Sequence, residues 1–163
     1  MNRDLIGYLL GLIIFIVGIP FVMYLASGSP NLAEISLIQL LILIILAILG
    51  IGLSIWSIVY MKNVGKGNPF DAFNHEVAPR TTSLMTDGPY GICRNPMLLG
   101  VFIYHWGVLI ALLSFGAVII FLIEILIMTV QVKKEEQRLK NDFGKDYEEY
   151  MKNTHRFLPK LNI

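Results

Sequence analysis

The chain has 163 residues, of which 55% are hydrophobic and only 15% charged, with a formal net charge of +1 and a mean hydropathy of +0.65. Soluble domains carry roughly 25% charged residues, so this chain has too little polar surface to cover a water-soluble globule, and the near-zero charge argues against a nucleic-acid partner. A soluble enzyme and a disordered tail are excluded on the same grounds, and the single cysteine, Cys93, excludes an internal disulfide framework and a cysteine-based zinc site.

From Leu5 to Met61 the one charged residue is Glu34. Leu5 to Ala26 is 22 residues without a charge, about 33 Å of helix against a hydrocarbon core of roughly 30 Å. The apolar part of a signal peptide is about 7–15 residues long, so this stretch predicts a membrane span. Gly7 and Gly11 form a GxxxG within it, which predicts close helix packing. Ser27 to Glu34 is a short polar turn containing Gly28 and Pro30. Ile35 to Tyr60 predicts a second span, long enough to tilt.

Lys62 to Pro96 is a polar loop of 35 residues, rich in Pro, Gly and Asn. Connections of that length are usually functional. Met97 to Leu113 is a third apolar run, and a break at Ser114 and Gly116 leads into a fourth, Phe115 to Val132; together they predict a helical hairpin. Lys133 to Ile163 is a charged tail, helical at first, with Glu136 and Lys140 at i,i+4 and Gly144 as a stop. The expected fold is an all-α integral membrane bundle of about four transmembrane helices, with a C-terminal helical hairpin and a cofactor-binding loop and tail. The two short turns carry no Lys or Arg, whereas the N-terminus has Arg3, the loop has Lys62, Lys66, Arg80 and Arg94, and the tail has eight. Positive residues favour the cytoplasm, so both termini and both polar blocks are expected there. That sidedness lets loop and tail fold over one another as a cap.

Within the loop, Gly88-Pro89-Tyr90-Gly91-Ile92-Cys93-Arg94-Asn95-Pro96 reads as a rigid, shaped segment. Pro89 and Pro96 fix φ, and Gly88 and Gly91 permit conformations that other residues resist. Pro96 suits a first helical turn, with Asn95 as its N-cap. Amides at that helix start suit an anionic group such as a carboxylate; a well-capped loop entering a membrane helix is the plainer alternative. Glu124, at the middle of the fourth run, is a functional candidate by its position, or else is protonated, or bonded to Gln39 or His105. His75, His105 and His155 show no metal-ligand spacing, so no metal is expected. Gly65-Lys66-Gly67 lacks the strand–helix context of a dinucleotide site. Cys93 has no evident base beside it and reads as a structural thiol.

GPYGICRNPMLLG, an apolar hairpin and then EEQRLKNDFGKDYEEYMKNTHRFLP together resemble the isoprenylcysteine carboxyl methyltransferase family and the related membrane phospholipid methyltransferases. The resemblance covers about residues 62–160. It divides the chain into two N-terminal membrane helices (1–61) and a methyltransferase core (62–163), the latter comprising a cofactor loop (62–96), a transmembrane hairpin (97–132) and a cytoplasmic tail (133–163). It implies S-adenosylmethionine as methyl donor and a lipophilic acceptor entering from the bilayer, such as a prenylcysteine-like carboxylate or a phospholipid amine. By position it assigns Tyr90, Asn95, Pro96, Met97 and Leu98, with Gly88, to the cofactor loop. It adds Thr82, Ser83, Leu84 and Met85, a polar contact at His75, and Glu135 as a glutamate beside the cofactor.

A sulfonium cation is stabilised by a nearby carboxylate and by aromatic faces. The donor's own carboxylate suits an arginine such as Arg94, which can bind it bidentately. The resemblance thus makes Glu135, Arg94 and Gln131 the catalytic candidates. Gln131 stands where the eukaryotic enzymes carry an arginine, and a neutral amide is not equivalent to a guanidinium. Leu98 stands where the family often has a tyrosine. Tyr147 and Tyr150 either pack a lid or touch ligand, and His105 and Trp106 either line an acceptor tunnel or pack. The competing functional readings are an NADPH-dependent membrane reductase and a non-enzymatic membrane module.

Overall fold

The computed structural model describes residues 3–67, 71–72, 75–76 and 81–159, with only the backbone described for residues 3–6, 71–72 and 75–76. The first apolar run is one continuous helix in three parts: α1 (Arg3–Gly11), a π-wound segment (Leu12–Gly18) and α2 (Ile19–Ala26). Pro20 explains the widened winding. Having no N–H, it leaves the carbonyls four and five residues earlier, Ile16 and Phe15, without helical donors. Both find partners on another helix: Tyr104 Oη donates to Ile16 O at 3.2 Å, and His105 Nε2 lies 2.8 Å from Phe15 O.

The second run forms α3 (Leu37–Tyr60), opened by a capping box between Ser36 and Gln39 and prolonged by a π turn, Met61–Gly65. The Gln39 side chain also reaches across to the carbonyls of Ile110 and Ala111, at 3.2 and 3.4 Å. Beyond α3 lie a two-residue antiparallel pair, β1 (Asp71–Ala72) with β2 (His75–Glu76), and a single helical turn, α4 (Pro89–Ile92). The hairpin follows as α5 (Pro96–Leu112) and α6 (Phe115–Asn153). Ser114 caps α6 by accepting from Gly116 N at 3.2 Å, which accounts for the tight break.

α3 and α5 run antiparallel in close contact. A Cβ on either Gly50 or Gly100 would run into the other glycine's carbonyl oxygen, so only glycine permits this approach. Ser54 Oγ, one turn from Gly50, donates to Met97 O at 2.9 Å. The expected close packing at Gly7 and Gly11 is not found at Gly11, whose Cβ position has no neighbour within 4 Å among the described residues. The tight crossing belongs to Gly50 and Gly100 instead, because those glycines face another helix and Gly11 does not.

Glu124 and His105 meet between α6 and α5, Oε2 to Nδ1 at 2.8 Å, both buried. His105 is the partner, not Gln39. The other ring nitrogen, Nε2, faces the Phe15 carbonyl, so His105 links α6 to the first helix. Trp106 is more than half exposed on the outer face of the bundle, with its ring 5.9 Å from that of Phe121.

Among the described residues three helices are long and apolar enough to cross a membrane, Gly7–Ala26, Leu37–Gly65 and Phe115–Asn153. Pro96–Leu112, where the third apolar run had predicted a span, has 17 residues, about 26 Å of helix. The molecule is an all-α integral membrane protein apart from the two-residue strands. The turns at 27–36 and 113–114 lie at one end of the bundle. The end of α3, the start of α5 and the charged half of α6 lie at the other. α6 continues past Val132 without interruption and departs from helical geometry only at Gly144 (φ 54°, ψ −125°), after which it resumes to Asn153. Gly144 thus stops the first stretch of helix, as expected, and a second stretch follows across the kink to Asn153.

Candidate functional site

α3 and α6 outreach α5, so a space opens above the N-terminus of α5 between their protruding ends. The loop folds into it. At its base Gly88 adopts φ +55° and lies so close to the Tyr60 ring that a Cβ would sit 2.6 Å from it. That turn starts α4 and buries Tyr90. Tyr60 Oη also bonds the Asp87 carboxylate, which pins the loop to α3.

The result is a cleft. From the loop it is lined by Thr81, Ser83, Leu84, Met85 and Tyr90, and from the start of α5 by Arg94, Asn95, Pro96, Met97 and Leu98. Met61 closes the α3 side. α6 contributes Glu135, Glu136, Leu139, Phe143, Tyr147 and Tyr150. Most of the residues singled out from the sequence thus face one space. Thr82, Gly88 and Gln131 are outside the lining: Thr82 N donates to Gly65 O at 2.9 Å, Gly88 makes the turn, and Gln131 is one helical turn below Glu135. The backbone of His75 belongs to β2, and its side chain lies outside the described residues.

Sequence reasoning missed Met61, Thr81, Leu139 and Phe143. Leu139 and Phe143 carry a readable signal, since counting by fours from Glu135 reaches both on one helix face. Met61 has none, because nothing in an apolar run marks which methionine ends at a cleft.

The polar groups divide into those tied to the protein and those turned to the cleft. Arg94 belongs mostly to the first kind. Its Nε and Nη2 donate to Glu136 Oε1 at 3.1 and 2.7 Å, and its Nη1 donates to the carbonyls of Met151 and Thr154. A guanidinium has five N–H groups, so one remains. While these bonds hold, Arg94 has no second donor for the bidentate grip on a carboxylate expected of it. Asn95 likewise does not cap α5 with its side chain; its Nδ2 and its backbone N both donate to Arg156 O at 3.1 Å.

Glu136 is the buried acid of the pair, and Arg156 meets it with Nε at 3.0 Å and Nη2 at 2.6 Å. That bond raises the Arg156 pKa. Glu135, a residue earlier and about 100° round the helix, keeps 34% side-chain exposure; Arg138 Nη2 stands 3.5 Å from it.

Tyr150 Oη donates to Tyr90 O at 2.6 Å, whereas the Tyr90 hydroxyl is itself buried and bonds no described residue. Burial, reinforced by the Glu135 charge, pushes the Tyr90 pKa up, so the group stays a donor. An orphaned buried hydroxyl is uncommon in a folded protein and calls for a partner. Cys93 is fully buried, and burial pushes its thiol up to about 11 despite Arg94 next to it. The thiolate needed for nucleophilic attack is scarce at neutral pH. Folded protein at pH 8 is expected to leave Cys93 unalkylated by iodoacetamide over an hour, whereas denatured protein reacts fully; mass spectrometry of the intact chain reads the difference.

The family model described as Phospholipid methyltransferase matches residues 38–146, about two thirds of the chain. No curated protein and no solved structure matches it.

Proposed function

This chain belongs to the phospholipid methyltransferase family, and on that premise we propose that it moves a methyl group from S-adenosylmethionine to a lipophilic acceptor at the cytoplasmic membrane face. The observation that carries the reading is the Tyr90 hydroxyl, a buried donor without a partner among the described residues, in the wall of a cleft that also holds the partly exposed carboxylate of Glu135. The residues present fit such a cofactor. Met61, Met85, Leu139 and Phe143 offer apolar walls of the kind an adenine ring needs. Glu135 suits a sulfonium charge, and Tyr90 supplies a hydrogen bond.

When bound, the cofactor supplies an already electrophilic methyl group on a sulfonium centre. What this chain adds is alignment and exclusion of water. The loop segment Arg94–Leu98 is held against the tail and presents a preset wall. Tyr147 and Tyr150 close the opposite side. The cleft opens at the start of α5, beside the apolar helices, and a lipophilic acceptor would reach it from the side along them. Gln131, a turn deeper than Glu135 along α6, is assigned to the acceptor and not to the cofactor. The cytoplasmic orientation rests on the Lys and Arg residues gathered at the cleft end of the bundle. The acceptor class is a lipid-borne amine or carboxylate.

Calorimetric titration of the purified protein with S-adenosylhomocysteine tests the cofactor site. Saturable 1:1 binding that weakens at least tenfold in Tyr90→Phe is expected. No heat from a folded, monodisperse sample defeats the reading.

A further inference from the structure

The family match ends at residue 146, yet the chain beyond it takes part in the cleft. After Asn153 the backbone leaves the helix and turns extended at Thr154 (φ −137°, ψ 129°). It then lies across the loop: Arg94 N donates to His155 O at 2.8 Å, and Asn95 N donates to Arg156 O at 3.1 Å. The Arg94 side chain holds the carbonyls of Met151 and Thr154 from the other side. Phe157 sets its ring 5.6 Å from that of Phe102, while Leu158, next along, is 70% exposed. The segment is thus a strap, fastened by hydrogen bonds, one ring contact and one ion-pair cluster.

That cluster is asymmetric. Glu136 stands between two guanidinium groups, Arg94 from the loop and Arg156 from the strap, at 2.7 and 2.6 Å. Arg94 is buried with it, but Arg156 is about a third exposed. Of the three, Arg156 is the one able to leave for water at low cost. Segments held mainly by polar bonds at a surface open at far lower free energy than packed helices do. Arg94, Asn95 and Glu136 all line the cleft, so the strap's attachment sets the shape of the cofactor's wall.

We propose that Arg156 is a positioning residue: through Glu136 it fastens the Thr154–Phe157 strap over the Arg94–Asn95 loop, and release of this fastening admits and discharges the cofactor. The proposal rests on the cofactor occupying this cleft. Arg156 touches no reacting atom; it acts through Glu136 and the strap carbonyls.

Stopped-flow binding of S-adenosylhomocysteine to the full chain in detergent is the test. Arg156→Gln is expected to speed dissociation at least tenfold with association altered less than threefold, and Arg156→Lys, which keeps the charge but not the two-point grip, to fall between. Phe157→Ala loosens the strap without touching the charges and is expected to shift dissociation the same way. It also carries the test if Arg156→Gln fails to fold. A purely structural role predicts lowered thermal midpoints with unchanged dissociation, and that result in both variants overturns the proposal. Absence of binding by the wild-type chain would instead count against the cofactor reading itself.

Discussion

Glu135→Gln is expected to weaken binding of S-adenosylmethionine roughly 10- to 100-fold, about 1.4–2.7 kcal/mol, while changing the affinity for S-adenosylhomocysteine less than about threefold. The two ligands differ by a methyl group and a positive charge, and glutamine keeps the shape of Glu135 while removing its charge. Unit charges about 4 Å apart near a protein surface interact by up to about 4 kcal/mol. The one-third exposure of this side chain reduces that figure through solvent screening. The loss should appear in KM more than in kcat, because the sulfonium charge is already dispersing in the transition state and a ground-state contact does not lower the chemical barrier. Isothermal titration with both ligands measures the two affinities, and initial-rate kinetics measures KM and kcat. Equal weakening of both ligands would place Glu135 beside a group they share. No weakening of either would remove it from the site.

Gly100→Val is expected to abolish recovery of folded protein, while Gly52→Val is expected to be recovered at wild-type levels. The added Cβ at Gly100 meets the Gly50 carbonyl oxygen and the Ser54 hydroxyl, and its approach to Ser54 N is 2.9 Å. Backbone cannot rotate out of the way, so α3 and α5 would have to separate. They would then lose the bond from Ser54 to Met97 O along with the start of α5, which forms one wall of the cleft. Ordinary overpacking costs about 1–3 kcal/mol, and a backbone-to-backbone clash exceeds that. Gly52 lies two residues from Gly50 on the same helix with nothing within 4 Å of its Cβ position among the described residues. Size-exclusion chromatography of both variants in the same detergent decides the matter.

What the sequence revealed, and what it concealed, follows from how each feature is encoded. The membrane class and the helical hairpin are carried by long apolar runs with at most one charge each, and Ser114 marks the hairpin turn by its own cap. The boundary at Val132 and Lys133 marks the end of the apolar run and not of the helix, because charge records where apolar surface ends, and the tail is helical at first as expected. Gly11 had the spacing of a contact with Gly7, but spacing does not say whether a partner helix passes it. Gly50 and Gly100 make the real contact, and they belong to different segments with no common pattern. The motif loop and the Glu135-Glu136 pair were legible as a site. Which acid turns inward was not, since it depends on where Arg94 and Arg156 arrive, and those lie 42 residues before and 20 after Glu136. Asn95 illustrates the same point: its side chain is suited to a cap, and a tail carbonyl about sixty residues away claims it instead.

An ionised side chain at the centre of an inserting helix costs roughly 2.5–3.5 kcal/mol. α6 carries such a group in Glu124, yet by the time it is synthesised His105 is already part of the nascent protein, and the Phe15 carbonyl precedes both. The acid therefore meets a waiting imidazole whose far nitrogen is anchored to the first helix. The order of residues along the chain thus gives α6 a partner for its buried acid on helices that are made before it.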